Sequence, residues 1–584
     1  MSESGIALAD YAVVVSFFVV MISVGVFFGR KQKSVTQFFG GGKQVPWWLS
    51  GISFYMCSFS SLAFVMYSAL AYKYGWLPVT ISWLSVPAVL LGGWLFAARW
   101  RRAAETSPLE YIERRYGNGM RQGLMWLGLP MRVLDDSFKL LAIGTVVGAG
   151  LGFPLKGAII ASGLIILSYT FMGGLWATLV ADFIQFFVLL LVVLVLPFLC
   201  LAKVGGIGAF IEQVPAGFFN WTADKYTWGY MFIFFLMLFS NLTTSWSMVQ
   251  RYYSTRSEKD ARKVAYFVAF LLFIGPPIFF LPAMTARIIL PDIPADRMNE
   301  VYALICRHVL PTGFIGLLIA AMFSATMSTL AGDYNATASV LTNDFFKRMI
   351  SPNSTPKQQM LVARVATVLM GSMVIGMTFV MQNAQGANDL FDVTNKMFGI
   401  FLPPIAIPML VGLLTPRVSR KGGLCGLLGG IVVGLIVFIL GAGLWRSIID
   451  NQQLGWQFLG AIQAGAPWYR GVGVIMTSTC VATFTGLFVG TKLFPDSGEK
   501  KEDLVLFFEK VNTPSPVLKG PPAKITFFPL VAGGLAFIAV VLIVASIATN
   551  PFHEVRLSVG GGVVMLAVSA LFVWISRRAN RASE

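Results

Sequence analysis

Charged side chains are scarce in this 584-residue chain, since Asp, Glu, Lys and Arg together make up 12% of it. An ordinary soluble domain carries about 25%. Hydrophobic residues make up 56%, and the mean hydropathy is +0.73. A soluble core cannot bury that much apolar surface, whereas a lipid bilayer can. The composition therefore predicts an integral membrane protein.

Histidine and cysteine are also rare. Two histidines and five scattered cysteines, with no CxxC pair, argue against a histidine-based metal site and a disulfide framework. The sequence lacks GxxxxGKS, HExxH and GxSxG motifs, which carry common phosphate-binding and hydrolytic chemistries. Asp135 and Asp136 resemble the paired aspartates of membrane proteases, but adjacent residues on a helix cannot face each other. We expect that the protein is not an enzyme.

Long apolar runs occupy most of the chain. A spanning helix needs about 20 apolar residues. Asp10 precedes the first run without a basic segment, which is typical of a retained span rather than a cleaved signal peptide. This window predicts fifteen spans, at 7–28, 46–73, 76–101, 119–150, 153–174, 177–204, 226–251, 262–291, 312–347, 359–384, 386–414, 421–447, 469–494, 525–547 and 557–577.

Lysine and arginine are unevenly shared between the loops. With the N-terminus outside, the inside segments hold about three times as many of these residues as the outside segments. This bias predicts a multi-pass protein of the cell membrane with its N-terminus outside and its C-terminus in the cytoplasm. It also explains the formal charge of +17 through contact with membrane lipid, so we expect no nucleic-acid partner.

Two predicted spans contain polar residues near their middle. The second span contains the stretch 57–61 (CSFSS), and the seventh contains the stretch 240–245 (SNLTTS). The two spans are five apart, so each opens a five-helix unit, and an odd number of spans inverts the second unit. Polar breaks at matching positions of inverted halves mark the binding site of many transporters. The alternative is that these hydroxyls only bond within their helices or join helix contacts.

Six motifs in order resemble the sodium/solute symporters, which include sodium/glucose carriers and, as the most similar branch, bacterial sodium/sialic acid carriers. The resemblance covers about residues 7–494. The motifs are 38–43 (FFGGGK) with 46–48 (PWW), 107–116 (SPLEYIERRY), 169–177 (YTFMGGLWA), 181–185 (ADFIQ), 249–252 (VQRY), and the helix from Ala320 to Phe345.

The resemblance implies a LeuT-type fold, an all-α membrane protein built on two inverted five-helix repeats. We expect a monomer that works as a sodium-coupled importer of a small polar organic solute. The implied organisation is an extra span at 7–28, repeats at 46–204 and 226–414, two further spans at 421–494, a cytoplasmic linker at 495–524, and two C-terminal spans at 525–577.

Na⁺ is the ion that the resemblance implies. A hard cation prefers oxygen ligands, and the family pattern places them at the carbonyls of Met56, Phe59 and Ala325 and the hydroxyls of Ser328 and Thr329. Adjacent hydroxyls on one helix reach a single ion only from a crevice between helices. The alternative is that both hydroxyls serve helix packing.

A second sodium site is present in some members of the family, and Asp182 matches its aspartate. With Ser328, Asp182 forms a candidate second site in this chain. Ala331 and Gly332 stand where that site has hydroxyls, however, and Asp333 follows them. We therefore expect the second site to be altered or absent. A gate or a structural cap is the alternative role for Asp182.

The solute positions that the resemblance implies are mostly small and polar. A polyhydroxylated or carboxylated solute suits such a set. Ala63 and Ser82 depart from the threonine and glutamine of sialic acid carriers, and glucose carriers have a glutamine at the position of Ala63. Both departures argue against simply inheriting either substrate. The implied positions are Ser58, Ser60, Ser61, Ala63, Ser82, Arg132 and Asn241.

Charged residues cluster in the fourth predicted span. Spacings of three and four place Arg132 and Lys139 on one helix side with Asp135 and Asp136, either as self-neutralising structure or with Arg132 facing the solute. We expect the solute to be a sugar or a sugar acid. The alternatives are a monocarboxylate or amino acid carrier, a proton-coupled carrier, and a non-transporting sensor or channel.

Overall fold

The computed structural model describes residues 7–29, 41–58, 60–103, 109–223, 226–311, 313–384, 390–441, 468–497, 499–514, 527–549 and 552–581. Regular structure in these ranges is helical, and the β contacts there are two isolated bridges. The first half contains α1 (Leu8–Gly29), α2 (Trp47–Cys57), α3 (Ser61–Tyr74), α4 (Leu77–Ala103), α5 (Glu110–Tyr116), α6 (Asn118–Leu151), α7 (Leu155–Phe171), α8 (Gly174–Val204) and α9 (Ile207–Gln213).

The second half continues the same all-helical pattern. Its helices are α10 (Trp228–Thr244), α11 (Trp246–Tyr253), α12 (Glu258–Ile289), α13 (Val301–Val309), α14 (Phe314–Ile350), α15 (Pro356–Ala384), α16 (Leu390–Leu414), α17 (Arg420–Gly441), α18 (Trp468–Leu493), α19 (Glu499–Asn512), α20 (Phe528–Thr549) and α21 (Phe552–Arg581).

Helix length and hydropathy make the chain a multi-pass membrane protein. Among the described residues, 11 helices are long and apolar enough to cross a bilayer, and the number reaches 13 if each of two bent pairs is one span. The predicted count of about fifteen is not confirmed. The two predicted spans that are not among the 13 are 119–150 and 153–174. The first corresponds to α6, which carries the charged cluster, and the second to α7, which is a shorter apolar helix.

Two bends lie within the spans whose middles are polar. Helices α2 and α3 meet at 60° around Ser58 and Ser60, and α10 and α11 meet at 53° at Ser245. Ser60 and Ser245 both adopt extended backbone angles, so the helical hydrogen-bond ladder stops there. These bends correspond to the breaks predicted at 57–61 and 240–245.

A glycine separates α7 from α8. Gly174 has φ 57° and ψ −168°, a conformation that is strained for residues with a Cβ atom. It lies at the predicted boundary between the spans 153–174 and 177–204. The structure therefore confirms a break in this otherwise continuous 50-residue helical stretch.

Helix α14 forms the centre of the molecule. Its most apolar stretch is 94% buried, against 33% for α15, and it packs against α1, α2, α6, α8 and α15. The Asp10 carboxylate accepts hydrogen bonds from the Gly313 and Gly316 amides, at 2.9 and 2.8 Å. Those N–H groups lie at the N-terminus of α14 and would otherwise lack partners, so Asp10 anchors α1 to the central helix.

The C-terminal part adds two helical hairpins. Helices α17 and α18 pack together and against α16, while α20 and α21 pack together and α20 contacts α1. The predicted linker at 495–524 contains helix α19, which the sequence reading did not foresee. Arg102 donates to the Val511 carbonyl at 2.7 Å, and Arg420 contacts Asp503 at 2.9 Å, so α19 lies against α4 and the start of α17.

Candidate functional site

A central cavity of about 190 Å³ lies between the two bent pairs, α6, α12 and α14. Six of the seven predicted solute residues line it, while the side chain of the seventh, Ser61, lies outside the described part of the structure. The volume falls below the range of about 300–1,000 Å³ typical of drug-sized ligands, so the cavity is small in this conformation. The six are Ser58, Ser60, Ala63, Ser82, Arg132 and Asn241.

Unwound backbone brings polar atoms to the cavity from both bends. Ser58 donates its hydroxyl to the Tyr55 carbonyl at 2.7 Å, and the Ser245 amide donates to the Asn241 carbonyl at 2.9 Å. Non-helical backbone at membrane depth is tolerated where it is buried in protein or lines a cavity. Both bends satisfy this condition, because residues on either side of each bend line the cavity.

Three of the five predicted sodium ligands converge between α2 and α14. The Thr329 hydroxyl oxygen lies 3.4 Å from the Met56 carbonyl oxygen and 3.0 Å from the Ala325 carbonyl oxygen. All three residues are buried, and Thr329 also lines the cavity. Three of the predicted ligand oxygens therefore lie close together at the edge of the cavity, where the Thr329 hydroxyl donates to both carbonyls.

The other two predicted sodium ligands are Ser328 and Phe59. The Ser328 hydroxyl lies 3.7 Å from the Cys57 sulfur, which also donates to the Ser328 carbonyl at 3.4 Å. Ser328 therefore lies on another side of α14 from Thr329, as their 100° separation requires. Phe59 lies outside the described residues.

Asp182 is buried on α8 and faces an arginine. Ser53 donates its hydroxyl to this carboxylate, and Arg251 Nη2 lies 3.7 Å from Asp182 Oδ2. Arg251 is itself fully buried and donates to the Ser247 carbonyl at 2.9 Å and to the Ser53 hydroxyl at 3.1 Å. The guanidinium thus provides the positive charge that balances Asp182.

Gly332 explains how the arginine fits. A Cβ atom at Gly332 would lie 3.2 Å from Arg251 Nη2 and 3.0 Å from the Cys57 sulfur. A side chain at this position would therefore force the guanidinium or the Cys57 thiol to shift by a few tenths of an ångström. The sequence shows that Gly332 lacks the expected hydroxyl, but it does not reveal Arg251 as the partner of Asp182, because no local spacing connects the two residues.

Arg132 contacts Asp333 on the facing helix rather than the nearby aspartates of its own helix. Its guanidinium lies 3.3 Å from Asp333 Oδ1, donates to the Ser245 hydroxyl at 3.1 Å, and lies 5.8 Å from the Trp246 ring. The expectation that Arg132 shares a helix side with Asp135 and Asp136 did not foresee this pairing, which spans 201 residues.

Lys139 joins three carboxylates. Its ammonium nitrogen lies 2.9 Å from Asp135, 3.0 Å from Asp136 and 3.0 Å from Asp333. The predicted contacts of Lys139 with both neighbouring aspartates are present. Arg132, Lys139, Asp135 and Asp333 all line the cavity, while Asp136 lies behind them with no exposed surface.

Several cavity-lining residues carried no signal in the sequence. Tyr67, Phe279, Phe280 and Phe398 line the cavity, but their aromatic side chains look like many others in the spanning helices. Ser247 follows a stretch that was already identified as polar, and it could have been found from that context.

Comparisons with known proteins show what the whole chain is similar to. The model of the sodium:solute symporter family matches residues 38–430. A sodium/sialic acid symporter of Aliivibrio fischeri is 25% identical over 448 residues, which cover 73% of this chain and 87% of that protein. A sodium/glucose cotransporter of Vibrio parahaemolyticus is 26% identical over 486 residues, which cover 74% and 86%.

A solved structure shares the fold. It is a Na⁺-coupled sialic acid symporter in a substrate-bound outward-open state, with a TM-score of 0.68 and 22% identity. The match covers 84% of this chain and 99% of that one. The described helices therefore have the architecture of a known transporter.

Proposed function

Because the chain belongs to the sodium:solute symporter family, we propose that it imports a sugar or a sugar acid together with sodium by alternating access. The observation that carries this proposal is the cavity between the two bent pairs, where polar residues from both bends lie beside Thr329. The relatives named for sialic acid and for glucose support this solute class.

For sodium, we propose the site between α2 and α14. Its ligands are the carbonyls of Met56, Phe59 and Ala325 and the hydroxyls of Ser328 and Thr329. Thr329 supports the site most directly, because its hydroxyl lies near two of these carbonyls. An ion held there connects the broken helix to the central helix, so its release frees the two to move apart.

We propose a single sodium ion per transported solute. Asp182 with Ser328 remains the candidate second site, but Arg251 already lies beside Asp182 as a fixed positive charge. Gly332, which leaves room for the guanidinium, removes an oxygen that a second ion would need. Asp182 then serves as a structural partner of Arg251.

For the solute, we propose recognition by Ser58, Ser60, Ser61, Ser82 and Asn241, with Ala63 leaving space. Hydroxyls and an amide pair well with a solute that carries many hydroxyls, and each buried polar group left unpaired costs about 1–3 kcal/mol.

Arg132 separates the two versions of the solute proposal. A neutral sugar leaves the pair of Arg132 with Asp333 intact, whereas the carboxylate of a sugar acid competes with Asp333 for the guanidinium.

We also propose the finer topology. The chain crosses the cell membrane fifteen times as a monomer, with the N-terminus outside and the C-terminus inside. The repeats lie at 46–204 and 226–414. An extra span at 7–28 precedes them, two spans at 421–494 follow, and the inside linker at 495–524 leads to the last two spans at 525–577. The distribution of Lys and Arg supports this orientation.

Cysteines placed in 205–225 should react with an impermeant reagent in intact cells, and those placed in 495–524 should not.

Uptake into sealed proteoliposomes tests the function. Sialic acid and glucose should accumulate, one or both, under an inward sodium gradient and not under a proton gradient alone. A thermal-shift screen over sugars, sugar acids and small carboxylates provides an independent measure of binding. Protein that takes up only a monocarboxylate or an amino acid, or that conducts solute without sodium, contradicts the proposal.

A further inference from the structure

The charged cluster beside the cavity holds more negative than positive charges. Three carboxylates face two cations, and all five side chains have little or no exposure to solvent. With every group ionised, the cluster carries one net negative charge. An uncompensated charge at membrane depth is energetically costly. The five are Arg132, Asp135, Asp136, Lys139 and Asp333.

A metal ion does not fit the centre of these carboxylates. Their ligand oxygens lie within 4.8 Å of one another, but the Lys139 ammonium already contacts all three at 2.9 to 3.0 Å. The lysine therefore occupies the position that a bound cation would take. A metal ion at that position is therefore not the balancing positive charge.

Asp136 has the atom that can accept it. One of its oxygens contacts Lys139, while the other, Oδ2, is buried and has no hydrogen-bond partner among the described residues. A buried carboxylate oxygen without a donor is costly when charged and much less so when neutral. Asp135 and Asp333 differ from Asp136 in lining the cavity.

We propose that Asp136 binds a proton, which makes this residue a second cation site of the protein besides the proposed sodium site. A hydronium ion in the cavity that Asp135 and Lys139 line donates the proton. One of its O–H bonds breaks, an O–H bond forms at Asp136 Oδ2, and a water molecule is left in the cavity. With this proton the cluster is neutral, with two positive and two negative charges.

The neighbours of Asp136 come from three helices. Asp135 and Lys139 lie on its own helix α6, and Asp333 and Tyr334 face it from α14. From α15, Val374 and Thr378 contact the adjacent Ser137 and carry no charge. Since Asp333 contacts both Lys139 and Arg132, a change of charge at Arg132 reaches the proton site.

Infrared spectroscopy of the solubilised protein tests the proposal without any solute. The wild type should show the carbonyl stretch of a protonated carboxyl at about pH 7, well above the ordinary titration range of an aspartate near 3.9. Asp136→Asn should remove this band. Asp135→Asn should remove it as well, because it takes away the excess negative charge. A wild type without the band, or a band that survives both substitutions, overturns the proposal.

Two further variants sharpen the assignment. Asp10→Asn is the matched control, because Asp10 is buried but accepts backbone hydrogen bonds on both oxygens, so its loss should leave the band unchanged. Arg132→Gln removes one positive charge and should strengthen the band. An unchanged band in Arg132→Gln contradicts the link between Arg132 and the proton site. Loss of the band in Asp10→Asn assigns the proton to Asp10 and contradicts the proposal.

Discussion

Two buried acidic centres flank the central helix α14, and they are built differently. At the first, one carboxylate, Asp182, faces one guanidinium, Arg251, and neither side chain is exposed beyond 1%. At the second, three carboxylates share Lys139 and Arg132, and four of the five side chains line the cavity. The first centre is balanced and closed, while the second has excess negative charge and is open to solute.

This difference indicates separate roles. A closed pair whose arginine also bonds to Ser53 and to the Ser247 carbonyl holds α2, α8 and α11 together. In the open cluster, Arg132 contacts both Asp333 and Ser245. A solute can replace one of these partners of Arg132 while the other contact remains. Substitutions in the closed centre should therefore mainly lower stability, and substitutions in the open centre should mainly lower transport.

The largest effect should come from the closed centre. Arg251→Met leaves Asp182 buried without its cation, and breaking such a pair typically costs about 3–5 kcal/mol. Thermal unfolding of the solubilised variant should begin at a much lower temperature than that of the wild type. The double variant Arg251→Met/Asp182→Asn should recover part of the loss, because neutral groups then replace both charges.

An exposed pair provides the control for this prediction. Lys263 is 56% exposed and lies 3.9 Å from Asp260, so Lys263→Met should change stability by no more than about 1 kcal/mol. If Arg251→Met is as mild as this control, the closed centre does not hold the helices together.

The open centre should show the reverse behaviour. In Arg132→Gln, Asp333 keeps Lys139, so the protein should remain folded. Sodium-driven uptake of sialic acid should fall about tenfold or more, since a hydrogen bond to a charged group is worth about 1.5–3 kcal/mol. Uptake of glucose should change much less.

Arg297→Gln is the matched control, because Arg297 is 51% exposed and pairs with Glu300 three residues along the chain. Its uptake should equal that of the wild type. Equal losses of sialic acid and glucose uptake in Arg132→Gln would show that Arg132 maintains the cavity rather than recognising a carboxylate.

The contrast between the centres also shows how far the sequence can predict the site. The bends were predictable because polar runs interrupt apolar spans at 57–61 and 240–245. The contacts of Lys139 with Asp135 and Asp136 were predictable because helix spacing fixes them. The composition and length of the runs identified the membrane protein, and the motifs identified its family.

The pairings across helices were not predictable in this way. Arg132 with Asp333 and Arg251 with Asp182 each join residues far apart in the chain, and a rule based on helix faces says nothing about them. The helix within the predicted linker was missed for a related reason. Its polar residues look solvated in sequence, but Arg102 and Arg420 hold it against the membrane domain.

A smaller effect should distinguish the two hydroxyls of the proposed sodium site. Thr329→Ala should raise the sodium concentration for half-maximal uptake about tenfold, as loss of about 1.4 kcal/mol of ion binding requires. Ser328→Ala should raise it less, because the Ser328 hydroxyl lies toward Cys57 and the closed centre. Ser324→Ala is the control, since that buried hydroxyl donates to the Ala320 carbonyl of its own helix at 2.7 Å. If neither Thr329→Ala nor Ser328→Ala changes the sodium dependence, the ion binds elsewhere.

The smallest effect is expected for sodium coupling in Asp182→Asn. The substitution removes the carboxylate charge, but Arg251 keeps its bonds to the Ser247 carbonyl and to Ser53, so the variant should be less stable yet still folded at low temperature. If Arg251 already takes the place of a second ion, wild type and variant should both show a sodium Hill coefficient near one and similar half-saturation. The measurement is uptake into proteoliposomes over a range of sodium concentrations. A Hill coefficient near two in the wild type that falls to one in Asp182→Asn would instead show that Asp182 holds an ion, and the two acidic centres would then both bind cations.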